Sequence, residues 1–386
     1  MRKHYIFFVI IAFFIASSSF NNVTAQSVQT STYSNSDSIS AEFYKNVDIT
    51  VNVEKELFPV IAKFLSERDE SSEEKIQITP PIYIDKVTGQ AVFPPKRLYL
   101  PSLVSWNIHN RNNTPVQLSI MSEIPDWTQP VISTLFLGSN ENKEVRQTPF
   151  GIQLLANSST IPSTILLKVK MDDKVIFEET QNIKIRSADD MIWSLHSPWD
   201  TESLIAAWVT PNNAVVEQIL SNAKEKRWTR SLSGYQNPDV VSQVQAIFNA
   251  VRSAHVSYVN SSMSFGTVGF TQRVRLPQES ILQKSANCID GAVLFSSLFE
   301  NIGLEPLIVL IPGHAFVGVR LAPNSRETLF IETTLVGRRV ISLESTFNAA
   351  VREGNAEYNN LITTNPSSVH IIDIKKEREN GIYPLW

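Results

Sequence analysis

From Ile76 to about Ile185 apolar and polar residues alternate in short runs separated by turn residues, the period of half-buried strands. Pro80-Pro81 and Pro94-Pro95 bracket Tyr83 and Ile84, Leu98-Tyr99-Leu100 leads to Val104, Trp106 and Ile108, and residues 110–115 form a turn cluster. Further strands are predicted over 116–121, 131–137, 150–155, 164–169 and 175–185, the last with a break. Beyond 189 the apolar spacing lengthens to three and four residues. A helix capped by Asn212 or Asn213 runs to about Lys226 with Val215, Val216, Ile219 and Leu220 inward. A second, from Asp239 to about Ser257, carries Val241, Val244, Ile247, Phe248 and Val251. Val293, Leu294, Leu298, Phe299 and Ile302 define a third over 289–302, stopped by Gly303. Strands follow over 307–311, 317–321 and 329–331, then a short helix over 347–353 and a last strand over 368–374.

These periods predict a multi-domain chain. Residues 76–188 read as an antiparallel β-sandwich of immunoglobulin-like type, with Trp106 in its core and no cysteine pair spanning its sheets. Such a module serves as a spacer or as a surface for partner docking. Residues 189–386 read as an α+β domain. Ahead of both, Arg2 and Lys3 precede an apolar run from Tyr5 to Ile15, a serine-rich stretch and Val23-Thr24-Ala25. This predicts a signal peptide over 1–25, cleaved after Ala25, and an exported protein, periplasmic or extracellular. Residues 26–75 are a leader without an assigned role: a flexible Ser/Thr/Asn-rich stretch to Ala41, an alternating run over 47–51, a run of mixed period over 57–61 and a charged hinge over 66–75. No later run reaches the roughly 18 apolar residues of a span, so no integral membrane anchor is expected. Losing Arg2 and Lys3 with the signal takes the formal charge from −4 to −6, which argues against nucleic acid or an anionic membrane as the main partner.

The candidate chemistry lies in 286–334. Cys288 is the single cysteine, so it forms no internal disulfide and is a free thiol in an oxidising compartment. It stands at the first turn of the third helix, where unpaired N–H groups and the positive end of the dipole favour a thiolate and offer donors to an oxyanion. His314 follows a Pro312-Gly313 turn and opens a strand. Glu332 ends the next strand; if 322–327 is a hairpin loop, the acid lies beside His314 and orients its ring. Taken singly, each has a plain reading: a small apolar core residue, a turn histidine, a solvated acid. Their occurrence together at the ends of apolar elements points to a Cys-His-Glu constellation. Asp290 is placed to cap the helix's first turn, Asn287 is a candidate for support at the helix start or at an oxyanion hole, and Gln283 is a candidate for a side-chain amide at an oxyanion hole. His4, His109, His196, His255 and His370 form no metal-binding pair or cluster by spacing, and no phosphate-binding Gly-rich loop occurs. Neither a metal nor another cofactor is expected.

With Asn287-Cys288-x-Asp290, Gly313-His314-Ala315-Phe316 and Glu332-Thr333-Thr334 in this order, the chain resembles the transglutaminase-like superfamily. The match covers about 200–375 and includes Trp208-Val209-Thr210-Pro211-Asn212 and Val274-Arg275-Leu276-Pro277. Glu332 stands where aspartate is commoner, and Phe316 where a tryptophan is common, a change expected to reshape the substrate groove. The resemblance implies a papain-like fold with Cys288 as nucleophile, His314 as base and Glu332 as its orienting acid. It further implies acyl transfer through a thioester, with a peptide or protein amide as substrate. Resemblance to bacterial members favours hydrolysis, as a protease or amidase. Protein cross-linking and a non-catalytic binding or scaffold protein that keeps the fold are the alternatives.

Overall fold

The structure is a computed structural model that describes residues 44–67, 76–78, 83–84, 91–92, 96–98, 100–225, 231–260, 265–337 and 343–385. The predicted signal peptide, the stretch to Ala41 and most of the charged hinge lie outside the described residues. Among the described residues the chain is mixed α/β, with several mostly antiparallel sheets and no barrel. No helix among the described residues is long and apolar enough to cross a membrane.

The first half is two sheets facing across one core. Strand β1 (Val47–Val53) begins the first sheet, and β2 (Glu56–Leu57) belongs to the second. Helix α1 (Pro59–Ser66) follows, started by a proline at its first position, where no intrahelical N–H is needed. Then come β3 (Val104–Asn110), β4 (Val116–Glu123), β5 (Val131–Leu137), β6 (Asn142–Gln147), β7 (Ile161–Met171) and β8 (Lys174–Ile185). The sheets are ordered β1-β3-β6 and β2-β8-β7-β4-β5. Val104, Trp106 and Ile108 alternate inward from β3 and meet Leu118, Ile120, Leu167, Val169 and Ile183 of the opposite sheet. In place of a disulfide, Gln147 ties the sheets: Trp106 Nε1 donates to its Oε1 at 3.1 Å, and its Nε2 donates to the Ile120 carbonyl at 3.1 Å.

Several boundaries differ from the sequence reading. The segment taken as leader over 26–75 contributes β1, paired with β3 from Val47↔Asn110 to Val53↔Val104, and α1, whose Val60, Ile61 and Phe64 join the core of the second half around Trp193 and Trp208. Its mixed period is that of a short strand running into a helix. Within the stretch 76–98, predicted as sandwich strands, the described residues form two small ladders, 76–78 with 96–98 and 83–84 with 91–92. Residues 152–156 form a 3-10 helix instead of a strand. Strand β6 was hidden by its polarity, because it is a sheet edge on which Asn142, Lys143 and Glu144 are all exposed.

The second half holds the 3-10 helix Glu202–Trp208, α2 (Ala214–Glu225), α3 (Val240–Ser253), the short α4 (Pro277–Leu282) and α5 (Cys288–Asn301). Asp239 caps α3 through the Ser242 N–H at 3.0 Å. His255 follows the C-cap Ala254 at φ +60° and ends the helix there. Strands β9 (Pro306–Ile311), β10 (His314–Arg320), β11 (Thr328–Ile331) and β12 (His370–Asp373) form an antiparallel sheet ordered β11-β10-β9-β12. Helix α6 (Leu343–Thr364) precedes β12 and α7 (Ile374–Glu379) follows it. Ile308, Leu310 and Ala315 pack with Ala292 and Val293 of α5; Leu307, Val309, Phe316 and Phe330 face Tyr358, Leu361 and Ile362 of α6. Helix α6 runs 22 residues where a short helix over 347–353 was predicted. Its Gly354 and run of asparagines are weak helix formers. The glycine is required because a Cβ there would lie 2.7 Å from the Ile331 N. His370 is fixed between Glu202, at 2.7 Å from its Nδ1, and the stacked Trp199 ring at 3.9 Å, which ties β12 to the 3-10 helix.

Gln147→Ala strips partners from the buried Trp106 N–H and the Ile120 carbonyl. At roughly 1–3 kcal/mol for the orphaned Trp106 N–H, an unfolding free energy lower by about 1–3 kcal/mol is expected in a denaturant titration.

Candidate active site

The start of α5 is built from a closed set of hydrogen bonds. Asn287 is the N-cap: its side-chain oxygen accepts from the Asp290 N–H at 2.9 Å, and its own N–H donates to Asp290 Oδ2 at 3.0 Å. These reciprocal bonds satisfy two donors that a helix start otherwise leaves unpaired. Asp290 has no exposed surface. It also accepts from the Arg275 N–H at 2.8 Å and from Arg275 Nη1 at 2.8 Å. The sequence pattern identified the cap but not Arg275, 15 residues upstream, as the counter-charge. Gln283 is exposed at the end of α4, and its Oε1 accepts from Arg275 Nε at 3.1 Å. Its one described partner is therefore the outer end of the helix-start network, and no described contact takes it to Cys288.

The cap sets Cys288 as the first residue of α5, fully buried among Ile289, Ala292 and their neighbours. His314 opens β10 after Gly313, whose φ of +74° makes the turn that only glycine adopts at no cost. Its Nε2 donates to Glu332 Oε2 at 2.6 Å, while Cys288 is its other side-chain hydrogen-bond partner. With Nε2 engaged by the acid, Nδ1 is the ring nitrogen left for sulfur. The structure thus brings Cys288, His314 and Glu332 into one chain of contacts.

Glu332 is held from behind. It leaves β11 one residue after Ile331, its N–H donates to the Ala350 carbonyl at 3.0 Å, and its Oε1 accepts from the Thr334 N–H at 2.8 Å. The close approach of its segment to α5 rests on Gly291, where a Cβ would stand 2.6 Å from Thr333 Oγ1.

Burial opposes a charge on His314, but the hydrogen bonds and negative charges of Cys288 and Glu332 outweigh it and raise the imidazole from its ordinary 6.5 to about 10. Burial likewise pushes Glu332 up, and the bonds from His314 and Thr334 overcome it, so the acid lies below its ordinary range.

Two side chains that the sequence did not single out border the trio. Tyr258 sits on a two-residue strand beside 285–286; burial first, then the charges of Cys288 and Glu332, raise its phenol. Glu357 reaches from α6 to 3.9 Å from His314 Nε2. Its helix was predicted to end at 353, so no pattern pointed to it. Phe316 lies in no groove: it is fully buried against Phe330, ring centroids 6.1 Å apart, in the core beneath α6. A pocket of about 250 Å³, lined by Glu54, Leu57, Ile61, Leu103, Ile192 and Gly269 among others, contains none of the trio. No protein-family model matches the chain, and no curated protein matches it in sequence.

Asp290→Ala leaves the Arg275 charge and the Asn287 N–H without their buried acceptor, and a loss of about 3–5 kcal/mol in unfolding free energy is expected. The ion pair also has a pH signature. His314 is raised, so its contribution to stability is complete below about pH 6.5 and disappears as pH climbs towards about 10. Glu332 is lowered, so its contribution is present above its ordinary 4.5 and is lost on acidification. The gap in unfolding midpoint between the wild type and Glu332→Gln should be widest between those two ordinary values and narrow on either side. A gap independent of pH would count against the pair.

Proposed function

We propose that the chain is an exported cysteine-dependent acyl-transfer enzyme of the transglutaminase-like type, acting as a protease or amidase on peptide or protein amides. The observation that carries this reading is His314 with Cys288 on one side and Glu332 on the other. On this reading the facing sheets of the first half are an immunoglobulin-like module that docks a partner or spaces the site. The second half, with α5 against an antiparallel sheet, is a papain-like domain.

The chemistry needs no group beyond these residues. The thiolate of Cys288 attacks the amide carbonyl carbon, and N–H groups at the start of α5 stabilise the oxyanion. The C–N bond breaks as His314 delivers its proton to the leaving amine, giving a thioester. Water then attacks the thioester carbon, its proton passes to His314, and the C–S bond breaks to return the thiolate and release the acid. Glu332 keeps the ring oriented throughout and offsets the imidazolium charge. An amine in place of water would give cross-linking.

The complete burial of Cys288 favours a second reading, a binding or scaffold protein whose thiol is a core residue. Alkylation separates the two. For the enzyme, iodoacetamide modifies Cys288 well below the pH of about 8.5 at which a free thiol ionises, and His314→Ala slows that reaction. A thiol inert in the folded chain at every pH supports the scaffold. With a library of peptides and amines read by mass, Cys288→Ala should abolish turnover and His314→Ala should lower it by about 10²–10⁴-fold.

A further inference from the structure

We propose that His314 Nε2, Glu332 and Glu357 form a binding site for Zn²⁺ on the side of the imidazole away from Cys288. The three donor atoms lie within 4.8 Å of one another. Glu332 Oε2 is 2.6 Å and Glu357 Oε2 3.9 Å from Nε2. Zinc bonds of about 2.0–2.2 Å at tetrahedral angles separate neighbouring donors by roughly 3.3 Å, a value that these two distances bracket. A tightening of Glu357 and a small opening of Glu332 therefore admit the ion, with water as fourth ligand. The ion replaces the Nε2 proton, which leaves to solvent.

Charge and support favour the same site. His314 places positive charge beside Glu357, whereas Glu332 and Glu353, one turn back on α6, both add negative charge. One imidazole, one buried carboxylate and one half-buried carboxylate are a donor set that suits zinc-like ions. Each donor stands on a braced element. His314 begins β10, and Glu332 is pinned through Thr334 and Ala350. Beside Glu357, Tyr358 stacks on Phe330 with ring centroids 4.0 Å apart. Such bracing keeps ligands near their bound positions before the ion arrives.

The site shares His314 and Glu332 with the proposed reaction but does not depend on thiol chemistry, so the two can fail separately. The test uses the full chain with Zn²⁺ alone in calorimetry and Co²⁺ alone in absorption spectroscopy. One ion per chain is expected, with visible Co²⁺ bands and no sulfur-to-cobalt charge-transfer band. Glu357→Gln, on a partly exposed helix position, should fold normally and weaken Zn²⁺ by at least about 100-fold, beyond what loss of an outer-shell partner typically causes. Cys288→Ala should bind unchanged. The proposal is overturned by absence of binding, by equal binding in Glu357→Gln, or by a charge-transfer band that vanishes in Cys288→Ala. An intact Co²⁺ spectrum in a chain that converts no amide would remove the enzymatic reading and leave the metal site.

Discussion

The position of the sulfur depends on one buried carboxylate. Asp290 accepts from the Asn287 backbone and from both the backbone and the guanidinium of Arg275. Together these bonds decide at which residue α5 begins. A buried acid has little tolerance for displacement, because any shift that breaks one of these bonds leaves a charge in a dry interior. Cys288 is therefore fixed at the first helical position by the groups around Asp290. Arg275 precedes α4 and is also bound by Gln283, so the short helix before α5 becomes part of the same support.

The second requirement is that three separate elements meet at His314. The strand that it opens is flanked by β9 and β11, and the sheet is covered by α5 on one face and α6 on the other. Two glycines permit the approach. Gly291 lets the segment after β11 lie against α5, and Gly354 lets α6 lie against the end of β11. Glu332 is thereby held between the two helices, near enough to His314 for a bond of 2.6 Å. The same crowding brings Glu357 towards the ring from the other helix.

Much of this was legible in the chain. The period-two run gave most strands of the first half, because inward residues such as Trp106 and Ile108 alternate with polar ones on sheets that face water on one side. The third helix was legible for a similar reason, as was Asp290 at its first turn, because caps are local; its reciprocal bonds with Asn287 were not read. The ends of elements where Cys288, His314 and Glu332 stand were also readable, because turns and caps are written in glycine, proline and asparagine. The edge strand β6 and the long helix α6 were not. A polar edge and a helix rich in glycine and asparagine lack the periodic apolar signal, and both are stabilised by neighbours distant in sequence.

By itself, the sequence determined the local facts: where the three helices before Gly303 lie, which residues alternate, and that a lone thiol, an imidazole and an acid each sit at an element boundary. Tertiary structure alone decided that Arg275 neutralises Asp290, that β1 and α1 belong to the folded body, that Phe316 is core, and that Glu357 borders the histidine. The physical reason is range. Caps and turns close within a few residues of backbone, whereas charge pairing and close packing join segments whose separation along the chain carries no record of their meeting in space.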